Sequence, residues 1–275
     1  MNRRHFLQQT LVGTAGLALG LAGSAHAQAA KKLPVGLQLY SVREQCKQDL
    51  PGTLKEVAKI GYQHVEWAGY YGKTAKELKQ MLDDHGLATC GTHTPYESVL
   101  GDKLKETIEF NRVLGNKFLI VPWMTGKTKA DWEAKAKLFN DIVPQVAPAG
   151  MFIGYHAHAH DFDKLDGVSA WDIFFGGTVP AVVMQLDTSN CREGGADPLA
   201  VLKQYPGRAK SIHLKASGGG AEAVLGEDKV EWKEVFAFCE NLGGTQCYVL
   251  EHESSKDPMD AIRRSYAALK QMGKV

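Results

Sequence analysis

From Val35 to its C-terminal end the chain alternates short β-branched or aromatic runs with longer amphipathic segments, and it does so eight times. The strand-like runs are residues 35–40, 63–67, 88–93, 117–123, 151–156, 182–187, 209–215 and 246–251. Helical periodicity fills the intervals. Residues 74–85 carry Leu78, Met81 and Leu82 at i, i+3 and i+4 and stop at Gly86, 103–114 stops at Gly115, and 232–242 stops at Gly243. Strands separated by helices run parallel, because a parallel pair needs a long crossover. A doubly wound sheet would use fewer strands and place a glycine-rich phosphate turn after the first, whereas here the first run leads into Ser41-Val42-Arg43. No linker, low-complexity tract or charge block divides residues 28–275. The expected fold is therefore one α/β domain, a (β/α)8 TIM barrel, which typically takes about 250 residues.

Composition removes several classes of partner. The 32 Lys and Arg are balanced by 31 Asp and Glu, so the basic excess of a nucleic-acid binder is missing. Five cysteines cannot all pair, and Cys90, Cys239 and Cys247 sit in apolar runs, which predicts buried thiols. Residues 1–27 read as a cleaved export signal. Asn2-Arg3-Arg4-His5-Phe6-Leu7 resembles the twin-arginine motif, an apolar stretch follows from Leu11 to Gly23, and Ala25-His26-Ala27 supplies a small-x-small cleavage site. That stretch of about 13 residues falls short of the roughly 20 that span a bilayer, which argues against a stable membrane anchor. The expected partner at this stage is the twin-arginine translocase, and the expected location is periplasmic or otherwise extracytoplasmic.

In a parallel barrel the chemistry sits at the C-terminal ends of the strands. Those positions hold Tyr40, Glu66, His93, Trp123, His156, His158, Asp187, His213, Lys215 and Glu251. The last four strands are apolar runs that stop on His156, Asp187, His213 and Glu251. With period-2 alternation all four side chains can point into the barrel mouth and converge on one ion. Two imidazoles and two carboxylates make a mixed nitrogen and oxygen site, suited to one divalent metal such as Mn²⁺, Zn²⁺, Co²⁺ or Fe²⁺. In the tract His156-Ala157-His158-Ala159-His160, successive imidazoles of an extended chain are roughly 6.6 Å apart, too far for all three to share an ion. His156 is read as the ligand, His158 as the acid/base with a pKa near neutrality, and His160 as the start of a loop. Glu66 is a candidate base or hydroxyl acceptor, Lys215 a candidate cation beside developing negative charge, and Tyr40, His93 and Trp123 are candidate substrate contacts. Gly218-Gly219-Gly220 marks a flexible loop after the seventh strand.

Several segments together resemble the sugar phosphate isomerase/epimerase group of xylose isomerase-like TIM barrels. They are Val35-Gly36-Leu37-Gln38-Leu39-Tyr40-Ser41-Val42-Arg43, Gly154-Tyr155-His156-Ala157-His158, Leu186-Asp187-Thr188-Ser189-Asn190, Ile212-His213-Leu214-Lys215, and Glu251 followed by Asp257-Pro258 and Ser265. The resemblance covers nearly all of residues 28–275. It implies a divalent metal, Mg²⁺ included among the candidates, held at the ends of strands five to eight by His156, Asp187, His213 and Glu251. It also implies departures. His156 stands where the better understood isomerases have a glutamate that doubles as a proton-transfer base. Asn190 stands where many relatives have a substrate-binding histidine, and Ala216 where aspartate is common.

A metal at a barrel mouth beside a base suits proton abstraction next to a carbonyl, with the ion stabilising the enediolate. The expected function is a metal-dependent isomerase or epimerase acting on an unphosphorylated sugar or keto-sugar, since phosphorylated sugars stay in the cytoplasm. Loss of one carboxylate base keeps a lyase or dehydratase acting on 3-keto-glycosides or related keto-sugars as an alternative. A non-catalytic carbohydrate-binding barrel is a second alternative, although such a protein would not need Asp187, His213 and Glu251 together.

Overall fold

The computed structural model describes residues 32–275; the expected signal and its cleavage site lie outside the described residues. The eight strands are Val35–Gln38, His64–Trp67, Ala88–His93, Phe118–Val121, Phe152–His156, Val183–Asp187, Ser211–Leu214 and Cys247–Leu250. They are called the first to the eighth strand below. Each runs parallel to the next, and the first pairs with the eighth, so that the sheet closes into the expected barrel. Outside it lies one two-stranded antiparallel hairpin, Lys164–Leu165 with Val168–Ser169, too short to leave a trace in the hydrophobic pattern.

Alternation along the strands sorts the side chains into two environments. Leu37, Val65, Leu119, Ile153, Met184, Leu186, Ile212 and Leu250 join the large cluster packed against the helices. The opposite faces fill the barrel axis with two small apolar clusters, one of Cys90, Cys247 and Val249, the other of Phe118, Ile120 and Val183 with Phe152 beside it. The remaining inward positions are polar, and they make the site described below. All five cysteines are buried and free; the apolar runs around Cys90, Cys239 and Cys247 predict this for those three.

Local chemistry sets where the elements begin and end. The helix Ala75–Asp83 starts at Thr74, whose side chain accepts from the Glu77 amide while Glu77 reaches back to the Thr74 amide, a capping box. Helix Lys103–Leu114 ends at Gly115, which takes the left-handed conformation (φ 76°) that glycine adopts without steric penalty. All but the third strand are shorter than the hydrophobic runs suggest, and in two of them the stop has a clear cause. The first stops at Gln38 because its side-chain oxygen accepts from the Tyr40 amide (2.9 Å) and turns the chain into a 3-10 segment, Leu39–Val42. The fourth stops at Val121, before Pro122, which has no N–H to offer a ladder. Among the described residues no helix is long and apolar enough to cross a membrane.

Candidate functional site

The fifth and sixth strands end on His156 and Asp187, His213 lies one residue from the end of the seventh, and Glu251 follows the eighth. All four side chains are buried, and each offers one ligand atom within 4.8 Å of the others. Asp187 has two duties. Its Oδ1 accepts from the Asn190 amide (2.7 Å) and caps the short helix Thr188–Glu193, while its buried Oδ2 has no hydrogen-bond partner. A buried carboxylate oxygen without a partner is costly. A cation seated among the four would satisfy it, so the donor set fits a divalent ion.

A hydrogen-bonded floor holds these groups in place. Glu66, fully buried at the second strand, accepts from His213 Nε2 (2.6 Å) and Gln38 Nε2 (2.8 Å) at one oxygen and from Gln185 Nε2 (2.7 Å) at the other. His93 Nε2 approaches the first of these oxygens at 3.2 Å. Burial opposes the Glu66 charge, yet His93 and His213 hold its carboxyl well below the usual range. His213 also donates from Nδ1 to Glu251 Oε2 (3.0 Å), so each ring nitrogen faces a carboxylate. Burial disfavours the imidazolium, but Glu66 and Glu251 raise its pKa to about 10. Burial together with the Glu251 charge pushes Asp187 up, whereas His213 and Lys215 overcome burial and hold Glu251 down. The pair of carboxylates thus holds either a proton or a cation.

Gln38 and Gln185 escape a reading confined to strand ends. Their signal is an amide within an otherwise apolar strand, and Gln185 lies two residues before Asp187, hence on the same face. Glu66, read from the sequence as a base or hydroxyl acceptor, lies in this floor with both oxygens engaged by buried donors. Gly91 is needed beside it, since a β-carbon there would come within 2.3 Å of Glu66 Oε1.

The rim carries the other candidates. His158 is largely buried, with its Nδ1 lacking a partner and its amide held by Asp161 Oδ2 (2.7 Å). Asp161 is fixed in turn by the Tyr155 hydroxyl (2.7 Å). The near-neutral pKa expected for His158 is corrected by its surroundings: burial lowers it to about 4 despite the pull of Glu251, with the Lys215 charge acting in the same direction as burial. Trp123 is 53% exposed and lies edge-on to the His158 ring, 4.6 Å between centroids. His160 sits 4.3 Å from the same indole and donates to Met124 O. Lys215 Nζ donates to Glu253 (2.6 Å) and Asn190 Oδ1 (3.3 Å), and Asn190 donates to Ala157 O (2.9 Å). Asn190 thereby ties Lys215 to the His156 strand. His93 lies under the mouth, 5.3 Å from the His213 ring and stacked on it. Tyr40 differs from expectation: it occupies the 3-10 turn beyond the first strand, 42% exposed, with the Arg43 guanidinium 4.4 Å above its ring. A polar cleft of about 680 Å³ opens from Lys215 over Ser189, Arg192, Glu193, His252 and Glu253, with the Gly218 loop on its wall.

Comparison with known proteins agrees with this architecture. The family model described as xylose isomerase-like TIM barrel matches residues 54–272. The chain belongs to that family. Among known relatives of this xylose isomerase-like barrel is the inosose dehydratase of Clostridium botulinum (strain Alaska E43 / Type E3), 27% identical over 195 residues, 59% of this chain and 61% of that one. The chain therefore spans less than two thirds of that relative's length. The inosose dehydratase of Bacillus anthracis (strain CDC 684 / NRRL 3495) is 25% identical over 267 residues, 82% of this chain and 86% of the relative. Among solved structures, a sugar phosphate isomerase/epimerase from Parabacteroides distasonis ATCC 8503 superposes with a TM-score of 0.79 at 24% identity, covering 88% of this chain and 97% of that one. An L-ribulose 3-epimerase superposes at 0.67 and 15% identity, over 88% and 94%. At these identities the two structures speak to the fold.

Proposed function

We propose that this xylose isomerase-like barrel is a metal-dependent enzyme that moves a proton at the carbon beside a carbonyl of an unphosphorylated sugar or keto-sugar, as an isomerase or epimerase. The observation that carries the proposal is the buried quartet His156, Asp187, His213 and Glu251, with its unpartnered carboxylate oxygen, beside the unpartnered Nδ1 of His158. A divalent ion bound by the quartet would polarise the substrate carbonyl and stabilise negative charge on its oxygens. His158, anchored through Asp161, takes the proton from the adjacent carbon, and its neutral ring is ready to do so. Lys215 places a second positive charge beside the developing anion. Trp123 offers an exposed ring face for a sugar, and Asn190 keeps Lys215 in register.

Dehydration is the second reading. It is favoured by the inosose dehydratase relatives and by His156 standing where a carboxylate base would serve a two-base epimerase. Loss of a β-hydroxyl after the same first proton transfer needs one base and one acid. We further propose that residues 1–27 direct the folded protein through the twin-arginine translocase to an extracytoplasmic compartment.

The test is metal analysis of the purified protein, followed by incubation with keto-sugars and 3-keto-glycosides in deuterated water. About one divalent ion per chain is expected, with loss of the ion in Asp187→Ala and Glu251→Ala. His158→Ala should keep the ion and lose deuterium exchange, whereas His156→Ala should lose affinity for the ion first. Unchanged metal content in both carboxylate variants refutes the centre, and retained exchange in His158→Ala refutes the base.

A further inference from the structure

Gln185 is completely buried, and its amide touches four partners across the barrel. Nε2 donates to Glu66 Oε1 (2.7 Å) and Ser211 Oγ (2.9 Å), while Oε1 faces His156 Nδ1 (3.0 Å) and His93 Nε2 (3.1 Å). The amide has only one workable orientation. Glu66 is an acceptor-only carboxylate, so the atom opposite it must be the NH₂ end. Turning the amide over would set two oxygens against each other in a dry interior, where repulsion is poorly screened. With Oε1 facing the rings, both imidazoles must present N–H to it. His156 then carries its hydrogen on Nδ1, and His93 carries one on Nε2, the atom that also lies 3.2 Å from Glu66 Oε2.

From this geometry we infer that Gln185 is a positioning residue that fixes the tautomer of His156 and commits the Nε2 lone pair of that ring to the ion. The inference rests on the proposed metal centre only for its last clause. The chain of control begins at the Glu66 carboxylate, which orients the Gln185 amide, and the amide oxygen then orients His156 by accepting from its Nδ1–H, which keeps the ring's hydrogen on the side away from the ligand lone pair. A ligating histidine needs such an acceptor behind it, and outer partners of this kind are typically worth roughly ten- to a hundred-fold in metal affinity. Methionine at 185 would match the volume and keep an apolar contact, but it offers no comparable acceptor to either imidazole.

Two measurements decide the matter. In the metal-free wild-type protein, ¹⁵N–¹H correlation spectra of the histidine rings should report His156 protonated on Nδ1 and unprotonated on Nε2. A His156 ring carrying its hydrogen on Nε2 overturns the inference, and this readout stands even if Gln185→Met fails to fold. In Gln185→Met, the His156 signals should move towards a mixture of tautomers, and chelator competition should show an affinity for Zn²⁺ or Mn²⁺ lower by roughly ten- to a hundred-fold. An unchanged tautomer with unchanged affinity also overturns it. If the wild-type protein binds no divalent ion, the proposed function fails, while the tautomer measurement still decides the role of Gln185.

Discussion

Replacing Gly91 with alanine should damage the candidate metal centre without touching any proposed ligand. The new β-carbon would lie 2.3 Å from Glu66 Oε1 and 3.1 Å from the Glu66 carboxyl carbon, where ordinary contact begins near 3.4 Å. Gly91 is in the third strand without a left-handed φ, so alanine meets no backbone penalty there. The carboxylate must give way by about 1 Å, more than a hydrogen bond tolerates. The bond from Gln185 (2.7 Å) faces the displaced oxygen directly, and those from His213 (2.6 Å) and Gln38 (2.8 Å) tilt with the carboxylate. Hydrogen bonds to a buried charge contribute about 1.5–3 kcal/mol each, and one lost with two weakened puts the cost on the order of 3 kcal/mol. The bond behind His213 weakens at the same time, and metal affinity is expected to fall by up to roughly the ten- to a hundred-fold that loss of such an outer partner costs. Urea denaturation of the metal-free protein measures the first effect, and chelator competition the second. Wild-type stability together with wild-type affinity in Gly91→Ala would refute the view that Glu66 braces the site.

Three further outcomes follow from other parts of the molecule. Arg208→Met should destabilise the barrel by about 3 kcal/mol with metal affinity unchanged, because the buried guanidinium donates to Phe175 O, Thr178 O, Thr178 Oγ1 and Val182 O, which the variant strands; equal denaturation midpoints would contradict this. The five buried thiols should resist a thiol reagent at pH 8 in the native protein and react once it is unfolded, since burial holds Cys46 and Cys239 up to about 11; rapid native labelling would contradict it. Exchange of Arg3 and Arg4 for lysine should leave precursor in the cytoplasm, because lysine does not reproduce the planar guanidinium pair; normal export of that variant would point to the general secretory route.

The barrel is legible in the sequence because eight hydrophobic runs with helical intervals admit few closed arrangements, and the quartet is legible because His156, Asp187, His213 and Glu251 stop apolar runs. Alternation alone does not reveal where pairing ends. Gln38 stops the first strand with its own side chain, leaving Tyr40 on the turn beyond it. Nor does it reveal a register shift such as the one between Val65 and Glu66, where the third strand slips past Cys90. Gln185 lies on the correct face but one step below the strand end, so a search of strand ends passes over it. The pKa of His158 depends on how much protein surrounds its ring, which residue identity does not encode.

Asp187 belongs to two structures at once. One oxygen caps the helix Thr188–Glu193 and the other faces the ligand quartet. That helix carries Ser189, Arg192 and Glu193, which form part of the cleft wall. Whatever settles among the four ligands therefore pulls on the carboxyl group that anchors this wall, and an occupant that draws the wall inward pulls on the same group from the other side. Such coupling is reciprocal. The barrel needs no hinged domain to let filling of the centre and shaping of the cleft inform each other, since one side chain shared between them is enough.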